Sequence, residues 1–451
     1  MKTRDLFVVG CGLAGAAAAL FAARRGLSVT QAGGTAEIVY ASGLFDVYDA
    51  PDPWAALERL RARRPQDEAE GRPLHPYARL RTAEARRALE EFLDWLGRRG
   101  LPYRHNGDAA CRVLTPAGGL KRTWAVPATM WPGVEAAAAK SPALLVDFHG
   151  LREYSAAQIA AVAGRTWPGL RAARVHFPAP APHPLLPGVM AQALELPAHR
   201  AALAEAIRPL LRGETHVGLP AVLGSSPAGV DGGATGDLAA RLGVSVFEIP
   251  TLPASVPGMR LKAVLENGLE AEGVDARRLT RARAVLPTPL PDGPHAGEAG
   301  FRVELDGPNT RPDNSDAEEN GIKEDEEHVV YARQVLLATG RFIGRGLRAE
   351  RDGVRERLMD LPVFQPPSRE QWHSPDLFDP AGHPVDRAGI VVDDAFRPVD
   401  ITGKVVRPGL YAAGTILAHQ DWLREKCGAG LAVATAWAAV AALAPKAGRT
   451  S

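Results

Sequence analysis

The stretch from Asp5 to Gly26, DLFVVGCGLAGAAAALFAARRG, limits what this chain can fold into more than any other. The apolar run Leu6-Phe7-Val8-Val9 reads as a buried parallel strand. The turn Gly10-Cys11-Gly12-Leu13-Ala14-Gly15 leads from it into an Ala-rich helix ending near Gly26. G-x-G-x-x-G carries information in this strand–turn–helix setting. Gly10 permits the tight turn, Gly12 lets backbone N–H groups approach a phosphate, and Gly15 lets the helix lie close on the strand. The helix N-terminus adds positive potential. The motif predicts a nucleotide-phosphate site at Gly10, Gly12, Leu13, Ala14 and Gly15. The plain alternative is a glycine-tolerant turn that holds nothing.

The next strand, Leu27 to Ala32, should end in an acid that pairs with ribose hydroxyls. That position falls at Gly33, and neither Asp, Glu nor Arg stands between Ala32 and Thr35. The phosphate machinery is present and the adenosine-ribose reader is missing.

A chain of 451 residues is long enough for two or three lobes with substantial cores. Its 53 basic and 52 acidic residues leave no electrostatic case for nucleic acid. The three cysteines, Cys11, Cys111 and Cys427, are far apart, which points to a reducing compartment and away from an iron–sulfur cluster or any metal site. The first apolar stretch is already a strand, so no secretory leader is expected. Cys427 to Pro445, mostly Ala and Gly, reads as a buried helix rather than a membrane span. A soluble, cytoplasmic protein is expected.

Along the chain, Ser42 and Gly43 lie in a loop of small residues that suits close approach to a flat ligand, or is an ordinary loop. Helical periodicity covers Trp54 to Arg64 and Thr82 to Arg99, with His75-Pro76-Tyr77 between them. A second region from Leu101 to Gly268 contains short strands such as ALLVDF and VSVFEI, and a proline-rich connector from Phe177 to Pro187. Within it Lys121 or Arg122, and Arg260, stand beside rigid turns. They are either holders of a phosphate or carboxylate, or surface ion pairs. Asp313 to Glu327 holds eight acids in fifteen residues and reads as a solvated insertion. Order resumes in a strand ending Ala338-Thr339-Gly340, and a later strand ends at Gly414-Thr415. After His419, Trp422 and Lys426, Cys427-Gly428-Ala429-Gly430 opens a final helix through about Leu443, with backbone donors at its start. The expected organisation is 1–100 and 269–451 in one nucleotide-binding domain, with 101–268 inserted and an acidic insertion at about 306–328.

The N-terminal glycine motif, Ala338-Thr339-Gly340, and Tyr411-Ala412-Ala413-Gly414 before a Gly-rich helix together resemble flavoproteins of the fumarate reductase type. Ala41 to Asp46, His75-Pro76-Tyr77, Thr115 to Trp124, Thr251 to Leu261 and Gly409 to Ala432 most resemble the B-subunit family of anaerobic glycerol-3-phosphate dehydrogenases. The resemblance implies an α/β, Rossmann-like FAD/NAD(P)-binding flavoprotein fold with a mixed α+β second region. It implies FMN, with FAD the close alternative, held by the glycine motif, Ser42, Gly43, Thr339, Gly340, Gly414, Thr415, Gly428, Ala429 and Gly430. Two departures stand out: the acid absent at Gly33, which suits FMN better, and Gly414-Thr415 where the family type has Gly-Asp.

The same resemblance implies an FAD-containing A subunit and an iron–sulfur C subunit as partners, the latter attaching the assembly to the inner face of the cell membrane. The reaction would be sn-glycerol 3-phosphate to dihydroxyacetone phosphate, with electrons passed toward quinone. His75, or less readily His419, is the candidate base, and Arg260 and Lys121 are the candidate anion holders. Two other readings remain: a stand-alone FAD oxidoreductase of fumarate reductase or ketosteroid dehydrogenase type, and a non-catalytic assembly subunit.

Overall fold

The computed structural model describes residues 3–34, 36–180, 184–226, 233–291, 293–306 and 328–443. Of the expected acidic insertion, residues 307–327 lie outside the described residues, as do 181–183 of the proline-rich segment. The chain forms two compact units, one of Met1–Thr35, Trp54–Glu90 and Glu266–Ser451, the other of Ala36–Pro53 and Glu91–Leu265. The inserted region thus begins earlier than Leu101 and also takes the excursion 36–53. Tertiary contacts that no local pattern announces hold that excursion in its unit. Ser255 N donates to Val39 O at 2.8 Å and Phe45 N to Ala125 O at 2.9 Å, and the Phe45 ring meets Tyr103 edge-on at 5.0 Å.

In the first unit, β1 (Arg4–Val9), β2 (Val29–Gly33), β3 (Asp275–Arg278), β4 (Ala282–Pro289), β5 (Ala299–Leu305), β6 (Val329–Leu337) and β7 (Leu410–Ala412) share one sheet. Its order is β3-β2-β1-β6-β5-β4, with β7 also paired to β6. β1 runs parallel to both neighbours and buries Leu6 to Val9 completely or nearly so. A strand covered on both faces reads as an unbroken apolar run, which is why this one was legible. β6 changes partner along its length: Val329 to Ala332 pair antiparallel with β5, and Val335 to Leu337 pair parallel with β7. Val9, Leu337 and Ala412 end in register. Gly10, Ala338-Thr339-Gly340 and Ala413-Gly414 therefore leave the sheet along one edge, the carboxyl ends of parallel strands where open α/β sheets bind ligands.

Helices α1 (Leu13–Ala23), α2 (Trp422–Glu425) and α3 (Gly428–Leu443) complete that edge. α1 packs on α3, and the buried faces, Ala14 to Ala22 and Gly430 to Ala436, are mostly Ala and Gly. Small side chains let two helices approach closely. Among the described residues no helix is long and apolar enough to cross a membrane.

The second unit has its own sheet, in the order Ser245–Ile249, His216–Pro220, Ala143–Phe148, Leu170–Val175, with every pair parallel. Strand Ala143–Phe148, helix Ala156–Ala163 and strand Leu170–Val175 make a crossover unit, because parallel neighbours need a long connection. Among the described residues of this unit, two small antiparallel pairs add mixed α+β character, Tyr103–His105 with Ala125–Pro127 and Cys111–Leu114 with Leu120–Thr123. Leu144 to Val146, Ile159, Trp167 and Phe247 are among the residues of this unit's core.

Candidate functional site

The glycines of the first turn are there for different reasons. Gly10 sits at φ +118°, where a Cβ would lie 2.3 Å from Ala338 O, and its N–H donates to Ala32 O at 2.7 Å. A Cβ on Gly15 would lie 1.9 Å from Gly10 O, and that carbonyl also accepts from Gln31 Nε2 at 2.9 Å. The protein's own backbone therefore demands both. Gly12 is different: its backbone is extended, and a Cβ would meet nothing within 4 Å. It is the N-cap of α1, yet no side chain caps the helix and its first turn carries no acid. Uncapped amides beside open space are able to cradle a phosphate. A merely glycine-tolerant turn would have no use for Gly12.

The other two strand ends adjoin this turn. Thr339 Oγ1 is buried with no hydrogen-bond partner among the described residues, next to Gly340 at φ +67°. An orphaned buried hydroxyl at a strand end is what a bound group would satisfy. A Cβ on Gly414 would lie 2.6 Å from Ala14 Cβ, and Gly414 N donates to Thr435 Oγ1 of α3 at 2.9 Å. Thr415 O accepts from Arg341 Nε at 2.8 Å and Gln420 Nε2 at 3.2 Å. Gly428, Ala429 and Gly430 form the first turn of α3, where Leu431 N donates to Cys427 O at 2.8 Å. These features fit a flavin: amides and Thr339 for its phosphate and polar edges, and the α3 N-terminus for a ring oxygen. Ser42 and Gly43 belong to the second unit. There Gly43, at φ +79°, has Pro257 Cβ 2.8 Å from its Cβ position, so packing within that unit already accounts for it.

The expected charged residues are divided. Lys121 and Arg260 are in the second unit and His75 is in the first. Arg260 is buried. It donates to Glu248 Oε2 at 2.6 Å and Oε1 at 2.9 Å, and to the carbonyls of Leu223 and Gly224. This corrects the reading of Arg260 as an anion holder: its three nitrogens are spent on the unit's own backbone and a buried carboxylate. Lys121 Nζ donates to Asp46 at 2.6 Å in a partly exposed pair, and Arg122 pairs with the exposed Asp49 at 3.1 Å.

His75 Nδ1 accepts from Tyr77 N at 3.1 Å, and Nε2 lies 3.1 Å from Glu425 Oε2. The Tyr77 amide forces the proton of a neutral imidazole onto Nε2, which then donates to Glu425. Both ring nitrogens are thus engaged, so His75 cannot take a proton from a substrate as it stands. Glu425 Oε2 also accepts from Asp421 N at 2.9 Å and from the Cys427 thiol at 3.8 Å. Burial pushes the Glu425 carboxyl up, but the hydrogen bonds from His75 and the Asp421 amide outweigh it and hold the group below its ordinary range. Burial, reinforced by Glu425, pushes the Cys427 thiol well up. His75, Glu425 and Cys427 bring ligand-type atoms within 4.8 Å of one another. With protons on Nε2 and the thiol both directed at Glu425, they form a hydrogen-bonded cluster in which Nε2 has no lone pair for a metal.

Arg341 and Phe364, which the sequence did not single out, complete this region together with His419, the second candidate base. Arg341 is buried and donates to Thr415 O and, through Nη2, to Gln420 O. Burial draws its pKa down to about 10 against the pull of Asp386, Asp421 and Glu425. Phe364 lays its ring 4.2 Å from that of His419. His419 holds a left-handed backbone, φ +65°, and its N–H donates to Arg387 O at 3.0 Å. Burial first, then Arg79, His75 and Arg387, lower the His419 pKa to about 4. His419 is therefore neutral at pH 7. Its ring makes no hydrogen bond among the described residues, so a lone pair is free. Asp421, Glu425 and Cys427 have a sequence signature only in hindsight, as acids and a thiol just before the Gly-rich helix start.

A family profile described as FAD binding domain matches residues 5–431. A Halobacterium salinarum protein named as the probable B subunit of an anaerobic glycerol-3-phosphate dehydrogenase is 32% identical, covering 98% of this chain and 97% of its own length. A Yersinia pseudotuberculosis protein named as the B subunit of the same enzyme is 28% identical, covering 96% of each chain. A crystal structure of 3-ketosteroid delta1-dehydrogenase from Sterolibacterium denitrificans is 13% identical, with a TM-score of 0.42, covering 98% of this chain and 100% of its own.

Proposed function

Because the chain belongs to the B-subunit family of anaerobic glycerol-3-phosphate dehydrogenases, among FAD-binding-domain proteins, we propose that it is the flavin-carrying subunit oxidising sn-glycerol 3-phosphate to dihydroxyacetone phosphate. The observation that carries the chemistry is Gly12: an uncapped helix start with open space beside it, level with two other strand ends. The missing acid at Gly33 favours FMN, which has no adenosine half to hold; the same cradle would also take the phosphate of FAD.

A bound flavin supplies the acceptor for the hydride that leaves the alcohol carbon. The amides of Leu13 and Ala14 would hold its phosphate, and Thr339 Oγ1 would offer its unsatisfied hydroxyl to a polar edge of the flavin. His419, neutral and with a free lone pair, takes the hydroxyl proton as the carbonyl forms. His75 serves instead to fix Glu425 and the turn that follows it. With three single cysteines, all buried, the chain offers no ligand set for an iron–sulfur cluster. Onward transfer toward quinone then falls to a partner subunit with iron–sulfur centres, beside an FAD-containing subunit, and that partner gives the assembly its hold on the membrane.

The flavin identity is tested by heating the purified chain and chromatographing what it releases. FMN at close to one per chain is the expected result, and a folded chain that takes up neither flavin would overturn the proposal.

A further inference from the structure

β2 is buried along its whole length, and a strand covered on both faces is ordinarily served by apolar side chains. Gln31 breaks that pattern. It is 2% exposed, paired in register with Val8 on one side and Ala276 on the other, and burying an amide costs free energy unless it is hydrogen-bonded. Its Nε2 donates to Gly10 O at 2.9 Å. The partner is telling, because the peptide that follows Gly10 is the one the turn leaves free. At φ +118° Gly10 has no Cβ to restrict how that peptide plane is set. β2 sets it from two points: Ala32 O accepts the Gly10 N–H at 2.7 Å, and Gln31 holds the Gly10 carbonyl. Gly15 makes room for the contact, since a Cβ there would lie 1.9 Å from Gly10 O and 3.2 Å from Gln31 Nε2. Across a trans peptide the N–H and C=O point opposite ways, so the Cys11 N–H is turned away from Gln31. It makes no backbone hydrogen bond among the described residues. A Cβ at Gly33 would stand 2.8 Å from Cys11 N, and glycine leaves that amide uncrowded.

We infer that Gln31 is a positioning residue for the flavin's phosphate: its hydrogen bond keeps the Gly10 carbonyl out of the phosphate site and leaves the Cys11 N–H to join the amides at the start of α1. The inference rests on the reading of this turn as a flavin-phosphate cradle. An anion is bound where successive N–H groups converge, and a carbonyl oxygen turned into the same space repels it. Rotation of the Gly10–Cys11 peptide exchanges one for the other. Gln31 acts through that peptide and not on the isoalloxazine ring, so its effect falls on flavins that carry a phosphate. Only a hydrogen-bond donor can hold a carbonyl oxygen, so an apolar side chain of similar length cannot replace it.

The test is titration of the full-length apoprotein with FMN and with riboflavin, which is the same ring and chain without the phosphate, followed by flavin fluorescence. The wild-type chain should prefer FMN by about a hundredfold. Gln31→Met should cut that preference by about tenfold or more, through weaker FMN binding alone, with riboflavin affinity unchanged. A second variant, Gln31→Glu, keeps the side chain's size and makes the donor depend on pH. At about pH 8 its ionised carboxylate faces the carbonyl and the FMN preference should fall; at about pH 5.5 burial holds the acid protonated, its O–H donates to Gly10 O, and the preference should return. Each ratio is taken against wild type at the same pH, because the phosphate of FMN itself titrates near pH 6. A Gln31→Met chain that keeps the full preference, or that loses both flavins equally, overturns the inference, as does a Gln31→Glu chain whose preference ignores pH. These outcomes are separate from the parent reading: a wild-type chain that binds riboflavin as tightly as FMN overturns the cradle itself, whereas a wild-type preference that Gln31→Met retains leaves the cradle standing and removes only Gln31 from it.

Discussion

Gly12 and Gly15 are three positions apart and should answer substitution in opposite ways. At Gly12 a side chain enters open space beside uncapped amides, so Gly12→Val should cost flavin affinity a hundredfold or more, roughly 2.7 kcal/mol, while the melting temperature moves little. At Gly15 the first added carbon meets Gly10 O at 1.9 Å, so Gly15→Val should fail to fold or melt far lower. Thermal melts with and without flavin separate the two, and a Gly12→Val chain that retains full flavin content would refute the cradle. Gly33 is likewise decided by its neighbours. A Cβ there would lie 2.8 Å from Cys11 N, so the acid that the motif asks for has no room. Gly34 meets nothing within 4 Å. Gly34→Glu should therefore raise FAD affinity about tenfold over FMN by pairing with ribose hydroxyls, whereas Gly33→Glu should lose both flavins. Titrating the apoprotein with each flavin tells these outcomes apart.

At the scale of elements, what was legible in the sequence was local. The strand LFVV, the turn and the Ala-rich helix follow one another within the first unit's opening residues. The final helix begins at Gly428 and runs to Leu443, as its composition indicated. The parallel sheet of the second unit was not legible as such. Its strands, Ala143–Phe148 to Ser245–Ile249, are short, and their order is set by crossovers rather than by any pattern within them. Nor was the His75–Glu425 bond, which spans 350 residues. Arg260 was misjudged because rigid turns near a basic residue look alike whether the cation faces a ligand or an internal acid. Its partner Glu248 is wholly buried, so Arg260→Ala strands a carboxylate and should cost about 3–5 kcal/mol of stability. Urea unfolding measures this directly. A variant of unchanged stability but weakened substrate binding would restore Arg260 to the site.

For the whole molecule, one unit carries both the phosphate cradle and the His419 cluster, on elements separated by most of the chain's length, and the other has an independent core. The near-balance of 53 bases and 52 acids gives no net charge to steer an anion, so selection of the proposed phosphorylated substrate would have to be local. On the proposed assignment the first unit would hold both flavin and base, so substrate oxidation would need no second chain, even if delivery to quinone does. The direct measurement is anaerobic addition of sn-glycerol 3-phosphate to the purified, flavin-loaded chain alone, followed by its visible absorbance. The account predicts bleaching of the flavin band, lost in His419→Gln. A folded, flavin-loaded chain whose band is untouched by substrate would contradict it and move the oxidation to a partner.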